Sequence, residues 1–332
     1  MNAVKSYDPE KISVATLASH TALQILLAAH KHGFRTIALS AEVNMPFYKS
    51  FSFIDEVWPV TPSSLDKMDS ELISRNAVII PHGSMVEYFG PSITRLRTPI
   101  FGNRHLIDWE RNQESKMKLL REAGIPTPRT YSSPTEASVP AIVKLYGAKG
   151  GRGYFLARNR EELALKCSTL TEPYIIQEYV IGVPAYYHYF SSKMRGRIEI
   201  FGADIRYETN VDGRIPGLAD PTFVVVGNLP LTLRESLLPK ILKYGEAFAE
   251  AVERNIPPGL IGPYCLESII RDDMEIVVFE YSGRIVAGTN VYAALGSPYS
   301  ALYFGKPIDM GERIALEIEE AAAGNRLEDV TT

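Results

Sequence analysis

The sequence predicts a mixed fold, in which an α/β unit at residues 1–100 precedes an α+β unit at residues 101–332. In the first unit, short apolar runs rich in β-branched residues alternate with helical patterns, which is typical of a parallel sheet. The second unit has a glycine-rich loop between two strand-like runs, followed by a long strand-rich region. Strands that no longer alternate regularly with helices indicate an α+β arrangement.

Composition and charge narrow the class of protein. Apolar residues make up 45% and charged residues 22% of the 332 residues, which is ordinary for a soluble globular protein. The net charge of −4 argues against nucleic-acid binding, which needs a basic surface. Cys167 and Cys265 are too few for a disulfide framework or a zinc site. The N-terminus lacks an apolar leader and no stretch is long enough to span a membrane, so we expect a cytoplasmic protein with no membrane partner.

The α/β unit has predicted strands at residues 12–17, 36–39, 53–60 and 77–80, and a helix at residues 21–32. Ser19 is a candidate N-cap of that helix. His20 comes soon after the first strand, and Ser84 comes soon after the last. Because ligands of parallel sheets bind beyond the carboxyl ends of the strands, we expect His20 and Ser84 at the same mouth.

The α+β unit begins with a charged helical pattern at residues 102–124. Strands are predicted at residues 141–144, 153–157, 174–180, 262–268 and 274–281. Helices are predicted at residues 160–169, 235–255 and 311–323, and further strand signals fill the region from residue 185 to the long helix.

A strand that delivers a lysine into a glycine-rich loop is the most informative motif. Lys144 ends the run at 141–144, and the loop that follows carries Lys149, Gly150, Gly151, Arg152 and Gly153. Glycines let backbone N–H groups approach phosphate oxygens, and the cations can neutralise phosphate charge. The GxxxxGK[ST] pattern of a P-loop and a helix-opening GxGxxG are both absent. A phosphate site of another kind is therefore predicted, with a simple tight hairpin as the alternative.

The next strand ends in Gln177-Glu178-Tyr179-Val180. Its backbone offers a carbonyl and an N–H group to an adenine ring, and its apolar neighbours can sandwich that ring. The alternative is an ordinary strand with a solvent-facing glutamate. Its position one helix after the glycine-rich loop favours the adenine site.

Two glutamates lie on neighbouring predicted strands near the C-terminus. Glu267 follows Tyr264-Cys265-Leu266, and Glu280 follows Val277-Val278-Phe279. Facing carboxylates suit Mg²⁺, which prefers oxygen ligands and bridges to substrate phosphates. Arg284 is placed to neutralise a transferring phosphoryl group. The alternative, two glutamates on an exposed sheet face, fits poorly with the apolar residues around Glu280.

In this order the features resemble the ATP-grasp superfamily. The resemblance implies a Rossmann-like pre-ATP domain at residues 1–100 and a two-lobed ATP-grasp region at residues 101–332. Within that region we expect a connecting helix at 101–124, a smaller lobe with the glycine loop at 125–184 and a larger lobe with the carboxylates at 185–332. The implied cofactors are ATP and Mg²⁺ or Mn²⁺.

The superfamily resemblance also assigns roles to residues of this chain. Catalysis falls to Lys144 and Arg284, and metal binding to Glu267 and Glu280. ATP binding falls to Lys116, Lys144, Gly150, Gly151, Arg152, Gly153, Gln177, Glu178, Tyr179, Val180 and Glu208. The sequence departs from the pattern where Ser282 replaces the usual Asn of the second metal motif. Glu208 is given the ribose-binding role because Gly182-Val183-Pro184 stands where an acidic residue usually lies.

Over residues 12–318 the chain is more specifically similar to the archaeal-type formate–phosphoribosylaminoimidazolecarboxamide ligases, the PurP family. The stretches that carry this similarity include Ala15-Thr16-Leu17-Ala18-Ser19-His20, Pro81-His82-Gly83-Ser84 and Gly227-Asn228-Leu229-Pro230. The resemblance implies formylation of AICAR (the aminoimidazole carboxamide ribonucleotide) to FAICAR with ATP and formate, through formyl phosphate, late in purine biosynthesis. It assigns AICAR binding to His20, Ser84 and Asn228, and it implies a homo-oligomer.

Two other functions stay open. A paralogous ATP-grasp ligase would use the same ATP site but act on a different acid or amine. A non-catalytic nucleotide-binding regulatory protein would be favoured by the loss of Lys144, Glu267 or Glu280, and all three are present.

Overall fold

Sheets flanked by helices form the fold in the computed structural model, which describes residues 3–146, 154–208 and 224–332. The strands are β1 Ser13–Leu17, β2 Arg35–Ser40, β3 Glu56–Pro59, β4 Ala77–Ile79, β5 Thr130–Tyr131, β6 Ala141–Leu145, β7 Tyr154–Ala157, β8 Tyr174–Glu178, β9 Val183–Ser192, β10 Arg197–Glu208, β11 Val225–Pro230, β12 Gly262–Ile270 and β13 Ile276–Ser282. The α-helices are α1 Ala22–Lys31, α2 Met45–Lys49, α3 Leu65–Ser74, α4 Gly83–Phe89, α5 Ser92–Arg95, α6 Arg104–Glu110, α7 Gln113–Glu122, α8 Arg160–Ser168, α9 Leu238–Asn255, α10 Ser300–Phe304, α11 Met310–Ala323 and α12 Leu327–Val330.

The N-terminal sheet has the order β3-β2-β1-β4, and all its strands are parallel. β1 is buried along its whole length, which explains its continuous apolar sequence, because both faces of a parallel sheet are covered. In register, Val14 lies opposite Thr36 on one side and Val78 on the other. The predicted α/β unit is confirmed, and it brings the carboxyl ends of β1 and β4 together.

The remaining strands form two antiparallel sheets, in the orders β5-β8-β6-β7 and β11-β10-β9-β12-β13. The long helix α9 buries an apolar stripe that includes Ile241, Phe248 and Val252, and this stripe packs with Tyr189 and Tyr264 of the larger sheet. The predicted α+β unit is therefore confirmed. Among the helices of the described residues, none is long and apolar enough to cross a lipid bilayer.

Several predicted boundaries were wrong. The helical region at 102–124 is two helices, because Asn103 accepts a hydrogen bond from the N–H of His105 and Asn112 accepts one from the N–H of Ser115, so each asparagine starts a new helix. Helices α3 and α4 were not predicted. The predicted loop residues Lys149, Gly150, Gly151, Arg152 and Gly153 lie outside the described residues.

The C-terminal helices return to the N-terminal sheet. Ile314 and Ile318 of α11 share a buried cluster with Val14, Ile25 and Val78. A further bridge pairs Phe101 with Thr331. The domain boundaries remain a prediction, but the two predicted units share one core across the boundary at residue 100.

A buried ion cluster fixes α11 against the larger sheet. Arg313 is fully buried, and its guanidinium lies 2.7 Å from Glu199 of β10 and 3.0 Å from Glu317 of α11. The guanidinium carbon also lies 4.0 Å from the ring centroid of Phe190. Buried charges are stable only when they are paired, so this residue anchors two carboxylates at once.

We predict that Arg313→Ala lowers the free energy of unfolding by about 3–5 kcal/mol, because Glu199 and Glu317 would stay buried without their common partner. Urea unfolding measures this change. Lys306→Ala is the matched control, because Lys306 is exposed, lies just before α11 and pairs at 3.2 Å with Glu312 of that helix; we expect a change below about 1 kcal/mol. Equal losses for both variants would contradict the anchoring role.

Candidate active site

A cavity of about 610 Å³ opens where the sheets meet. Every predicted site residue that lies within the described ranges contributes to its lining. These residues are His20, Ser84, Lys116, Lys144, Gln177, Glu178, Tyr179, Val180, Glu208, Asn228, Glu267, Glu280 and Arg284. They come from the mouth of the N-terminal sheet and from both antiparallel sheets, so the fold gathers residues that are far apart in sequence.

His20 and Ser84 lie together at the mouth of the N-terminal sheet, as their positions after β1 and β4 predict. The hydroxyl of Ser19 donates a hydrogen bond to Ser84 Oγ at 3.2 Å. The N-cap position belongs to Thr21, which makes no side-chain capping bond, so the prediction that Ser19 caps α1 was wrong. His20 has a φ of 57°, a left-handed conformation that is uncommon outside glycine and occurs often at functional sites.

Two histidine rings stack at this mouth. The rings of His20 and His82 lie 5.0 Å apart and are nearly parallel. His82 Nε2 donates to the carbonyl of Leu17 at 2.8 Å, and burial lowers the pKa of His82 to about 4. Burial, together with His82, Arg284 and Arg206, lowers the pKa of His20 well below its ordinary value. Both rings are therefore neutral near pH 7, and each neutral ring has one donor and one acceptor nitrogen.

Gly83 makes room for the contact between two predicted site residues. A Cβ atom at this position would lie 3.0 Å from His20 Nε2 and 3.3 Å from Arg284 Cζ. The glycine therefore allows the imidazole and the guanidinium to approach the same point of the backbone. At Gly83, the mouth of the N-terminal sheet therefore contacts Arg284, which follows the end of β13.

Lys144 lies on β6 and is buried. Within the described part of the chain, its Nζ atom has no hydrogen-bond partner; it lies 4.8 Å from the ring centroid of Phe279 and 5.5 Å from that of Tyr154. Burial lowers the pKa of Lys144 below its ordinary value, although Glu280 opposes this effect. A buried ammonium group without a hydrogen-bonded partner is costly, and it is well placed to receive an anion that enters the cavity.

Glu267 and Glu280 lie directly opposite each other on β12 and β13. Lys116 of α7 donates a hydrogen bond to Glu280, and Arg206 of β10 donates two parallel bonds to Glu267, at 2.7 and 2.8 Å. Burial raises the pKa of Glu280, but Lys116 and Lys144 outweigh it and lower this pKa to about 2. Glu280 is therefore ionised at neutral pH.

This pair of carboxylates fits a divalent cation that is shared with phosphates. Among the described residues, no group of three or more His, Cys, Asp or Glu side chains is arranged as an all-protein metal cage. Mg²⁺ commonly uses one or two carboxylates and completes its shell with water and substrate phosphates. Ser282, where the superfamily usually has Asn, donates a hydrogen bond to Glu267 Oε1 at 3.2 Å.

Arg284 is held by a residue that the sequence did not single out. Its Nη2 atom donates to Glu110 Oε1 at 2.7 Å, and the N–H of Gly283 donates to Glu110 Oε2 at 3.0 Å. Glu110 is 1% exposed, and these two bonds compensate its carboxylate for the loss of contact with water. The pair lies 174 residues apart in sequence, and no local pattern predicts it.

Arg206 was also missed, although a signal for it exists. Asp204, Arg206 and Glu208 alternate along β10 with Ile205 and Tyr207, so the charged residues share one face of the sheet. Arg206 and Glu208 line the cavity. Charged residues at alternate positions of an otherwise apolar strand are a usable pattern for such a site.

The proposed adenine strand has fewer free backbone donors than the sequence suggests. The N–H of Glu178 donates to the carbonyl of Arg129 at 2.8 Å, and that of Tyr179 donates to Pro140 at 3.1 Å. The carboxylate of Glu178 accepts a bond from Arg271 at 2.7 Å. Carbonyl oxygens can accept a second bond, so this segment can still receive an amino group.

Asn228 has a defined amide orientation. Its Nδ2 atom donates to Asp204 Oδ2 at 2.7 Å, and Asp204 Oδ1 accepts a bond from His188 Nε2 at 2.7 Å. A carboxylate accepts hydrogen bonds and cannot donate them, so the amide nitrogen must face Asp204. The carbonyl oxygen of Asn228 is thereby directed away from Asp204, and this residue lines the cavity.

Family models match most of the chain. One described as a domain of unknown function (DUF1297) matches residues 161–332, and one described as a protein of unknown function (DUF1246) matches residues 14–131. The chain is 62% identical to a 5-formaminoimidazole-4-carboxamide-1-(beta)-D-ribofuranosyl 5'-monophosphate synthetase of Pyrobaculum islandicum, over 100% of both chains. It is 50% identical to the protein of the same name from Ignicoccus hospitalis, over 99% of this chain and 98% of that one.

Solved structures show the same fold. An IMP biosynthesis protein PurP from Thermococcus kodakaraensis superposes with a TM-score of 0.79 at 33% identity and covers 96% of this chain and 100% of its own. The ADP complex of the N5-carboxyaminoimidazole ribonucleotide synthetase PurK superposes with a TM-score of 0.69 at 15% identity, over 91% of this chain and 79% of its own. The second similarity shows the fold alone, and together the two similarities confirm the predicted fold.

We predict that the free energy of unfolding of Glu280→Gln depends less on pH between about 4.5 and 2 than that of the wild type. The pKa of Glu280 is lowered from 4.5 to about 2, so this carboxylate contributes stability above pH 4.5 that is lost as the pH falls towards 2. The variant lacks this contribution, so its free energy of unfolding falls less between these pH values than that of the wild type. Urea unfolding at stepped pH measures the difference, with Glu250→Gln on the exposed side of α9 as the charge-matched control. Parallel curves for Glu280→Gln and wild type would contradict the assignment.

Proposed function

Because the chain belongs to the family of 5-formaminoimidazole-4-carboxamide-1-(beta)-D-ribofuranosyl 5'-monophosphate synthetases, we propose that it is an ATP-dependent ligase that formylates AICAR to FAICAR in purine biosynthesis. Beyond the family, one observation supports this proposal. The cavity brings together cations that suit phosphate, carboxylates that suit a metal ion, and uncharged hydrogen-bonding side chains. The acid is formate, and the products are ADP, phosphate and FAICAR.

The reaction needs ATP because formate is a poor electrophile. An oxygen of formate attacks the γ-phosphorus of ATP, the bond to the bridging oxygen breaks, and ADP leaves with formyl phosphate as the other product. The amine of AICAR then attacks the formyl carbon, the bond to the phosphate oxygen breaks, and the amine loses one proton. The amine is unprotonated at neutral pH, so the protein chiefly positions the reactants and stabilises charge.

The ATP phosphates are received by the cations of the cavity. Lys144 has no hydrogen-bonded partner in the described part of the chain, and so it gains a partner when a phosphate oxygen arrives. Lys116 and the loop residues Gly150, Gly151, Arg152 and Gly153 complete the phosphate site in this proposal. Gln177, Tyr179 and Val180 face the adenine, chiefly through backbone carbonyls and apolar contact, and Glu208 binds the ribose.

Glu267 and Glu280 would hold Mg²⁺ or Mn²⁺. A divalent cation in this position supplies charge neutralisation for the phosphates. The chain itself prepares the site by holding the two carboxylates opposite each other across β12 and β13, and Lys116 and Lys144 lower the pKa of Glu280. Arg284, whose orientation Glu110 sets, stabilises the charge that builds on the transferred phosphoryl group.

AICAR binds at the mouth of the N-terminal sheet in this proposal. The neutral ring of His20 and the hydroxyl of Ser84 both offer a donor and an acceptor, which suits a carboxamide. The carbonyl oxygen of Asn228 accepts a hydrogen bond from the reacting amine and so points its lone pair away from Asn228. A cytoplasmic location and a homo-oligomeric state remain predictions.

We predict phosphate release that depends on both formate and AICAR. Purified protein with ATP and Mg²⁺ is assayed with each substrate omitted in turn, and FAICAR is detected by mass spectrometry. Phosphate equal to FAICAR in amount supports the proposal.

Two results would redirect it. ATP binding with no turnover on formate and AICAR, but turnover on another acid or amine, would identify a paralogous ligase. ATP binding without turnover on any acid and amine pair would favour a regulatory nucleotide-binding protein.

We predict that Lys144→Met separates activity from stability. Methionine keeps the length of the side chain and packs against Phe279 and Tyr154, so removal of a buried charge leaves the melting temperature unchanged or raises it. The same change removes a phosphate contact, and we expect kcat/KM for ATP to fall about 100-fold or more. Lys118→Met, at an exposed position of α7, is the control and should keep its activity. A stable variant with full activity would exclude Lys144 from the phosphate site.

A further inference from the structure

We propose that Arg206 is the receptor for the carboxylate of the acid substrate, and that Glu267 fills this receptor until a divalent cation binds Glu267. The inference rests on the proposed function for the identity of the acid, which is formate. It assigns a binding residue to the one substrate for which the sequence offers no candidate.

The geometry of the receptor is visible in its contact with Glu267. Arg206 Nη1 lies 2.8 Å from Glu267 Oε2, and Nη2 lies 2.7 Å from Oε1, so the two N–H bonds point in parallel at the two oxygens of one carboxylate. A guanidinium fork matches a carboxylate in this way, and lysine cannot reproduce it. The structure therefore shows a site of carboxylate shape within the cavity.

The guanidinium fork of Arg206 packs on the ring of Tyr186. The guanidinium carbon lies 4.0 Å from the ring centroid of Tyr186, which is buried. Tyr186 lies on β9 directly opposite Glu267 of β12 in register. Stacking on this ring fixes the plane of the guanidinium, so the fork keeps its direction when its partner changes.

A metal ion on Glu267 weakens the bond between Glu267 and Arg206. Two cations on one carboxylate repel each other, and both oxygens of Glu267 already face Arg206, with Ser282 on Oε1 as well. The Arg206 side chain is 22% exposed, so a partly buried guanidinium then lacks a full counter-charge. A small carboxylate from solution would restore that charge.

The position of the fork also suits the chemistry. Arg206 lies beside Glu267, which is opposite Glu280. A carboxylate on Arg206 is therefore next to the carboxylates proposed to hold the metal and the phosphates of ATP. This proximity is what an oxygen of formate needs in order to reach the γ-phosphorus.

One consequence is thermodynamic coupling between the metal ion and the acid. When the divalent cation binds Glu267, the guanidinium of Arg206 becomes available to formate. When formate binds Arg206, Glu267 becomes available to the cation. By linkage, each must raise the affinity for the other by the same factor.

The first experiment measures steady-state kinetics of Arg206→Lys and Arg206→Gln. We expect KM for formate to rise about 10- to 100-fold in both, because neither replacement provides the fork, while KM for AICAR stays within about 3-fold of the wild type. Arg197→Gln is the matched control: it removes an arginine that pairs with a glutamate on the same strand but does not line the cavity. An unchanged KM for formate with a raised KM for ATP would overturn the proposal and place Arg206 on the phosphates.

The second experiment needs no turnover. Mn²⁺ binding to the protein–ADP complex is followed by electron paramagnetic resonance, with and without formate. We expect formate to raise the Mn²⁺ affinity of the wild type about 5-fold or more, and to have no effect on Arg206→Gln. Lack of coupling in the wild type would overturn the proposal.

The two experiments separate this inference from the proposed function. If the wild type makes no FAICAR, the proposed function fails, and Mn²⁺ binding still decides whether Arg206 receives a small carboxylate. If the wild type is active and the Arg206 variants keep both their KM for formate and the coupling, the function stands and this inference fails.

Discussion

The opposed carboxylates of Glu267 and Glu280 are the constraint on which the cavity depends. Two buried carboxylates on neighbouring strands repel each other unless each has a cation, and here the cations come from different elements. Lys116 reaches Glu280 from α7, and Arg206 reaches Glu267 from β10. These pairs lie 164 and 61 residues apart, so the first ties α7 to the edge strand β13 and the second ties β10 to β12 across β9.

The same pairing explains how a cavity built for charged ligands can fold without them. Each carboxylate that is proposed to bind metal already has a cation, and most cations already have a carboxylate. Lys144 is the exception among the described residues, because aromatic rings surround its Nζ atom and no hydrogen-bond acceptor reaches it. Metal and phosphate can then enter as a pair of opposite charges that exchange partners with the protein, so the total charge of the buried region changes little.

Site residues could be predicted from the sequence where a local pattern marks them, and not where contacts between residues far apart in sequence decide their role. Lys144, Glu267 and Glu280 stand out locally, because each is a charged residue in or beside an apolar strand, and the structure brings all three to one cavity. Glu110 carries no such local mark, because its partner Arg284 is set by packing between distant elements. Arg206 is marked only by the alternating charges of β10, which do not show that its partner is Glu267. The predicted helical region at 102–124 is divided for a local reason, because the side chain of Asn112 caps α7 and so starts a new helix. The parallel sheet, by contrast, follows from the alternation of strands and helices in the first unit and was predicted, whereas the order and antiparallel direction of the later strands were not.

The predicted site residues of the cavity also divide into a charged half and a neutral half, and this division follows from the fold. The antiparallel sheets supply Lys144, Arg206, Glu267 and Glu280, whereas the N-terminal sheet supplies His20 and Ser84, which are uncharged near neutral pH. The cations themselves maintain the boundary, because Arg284 and Arg206 are among the groups that lower the pKa of His20. Hydrogen bonding without charge suits an amine that must keep its lone pair, while the charged half suits phosphoryl transfer. Gly83, which lies between His20 and Arg284, connects the two halves, and in the proposed reaction the activated acid and the amine would meet near this point.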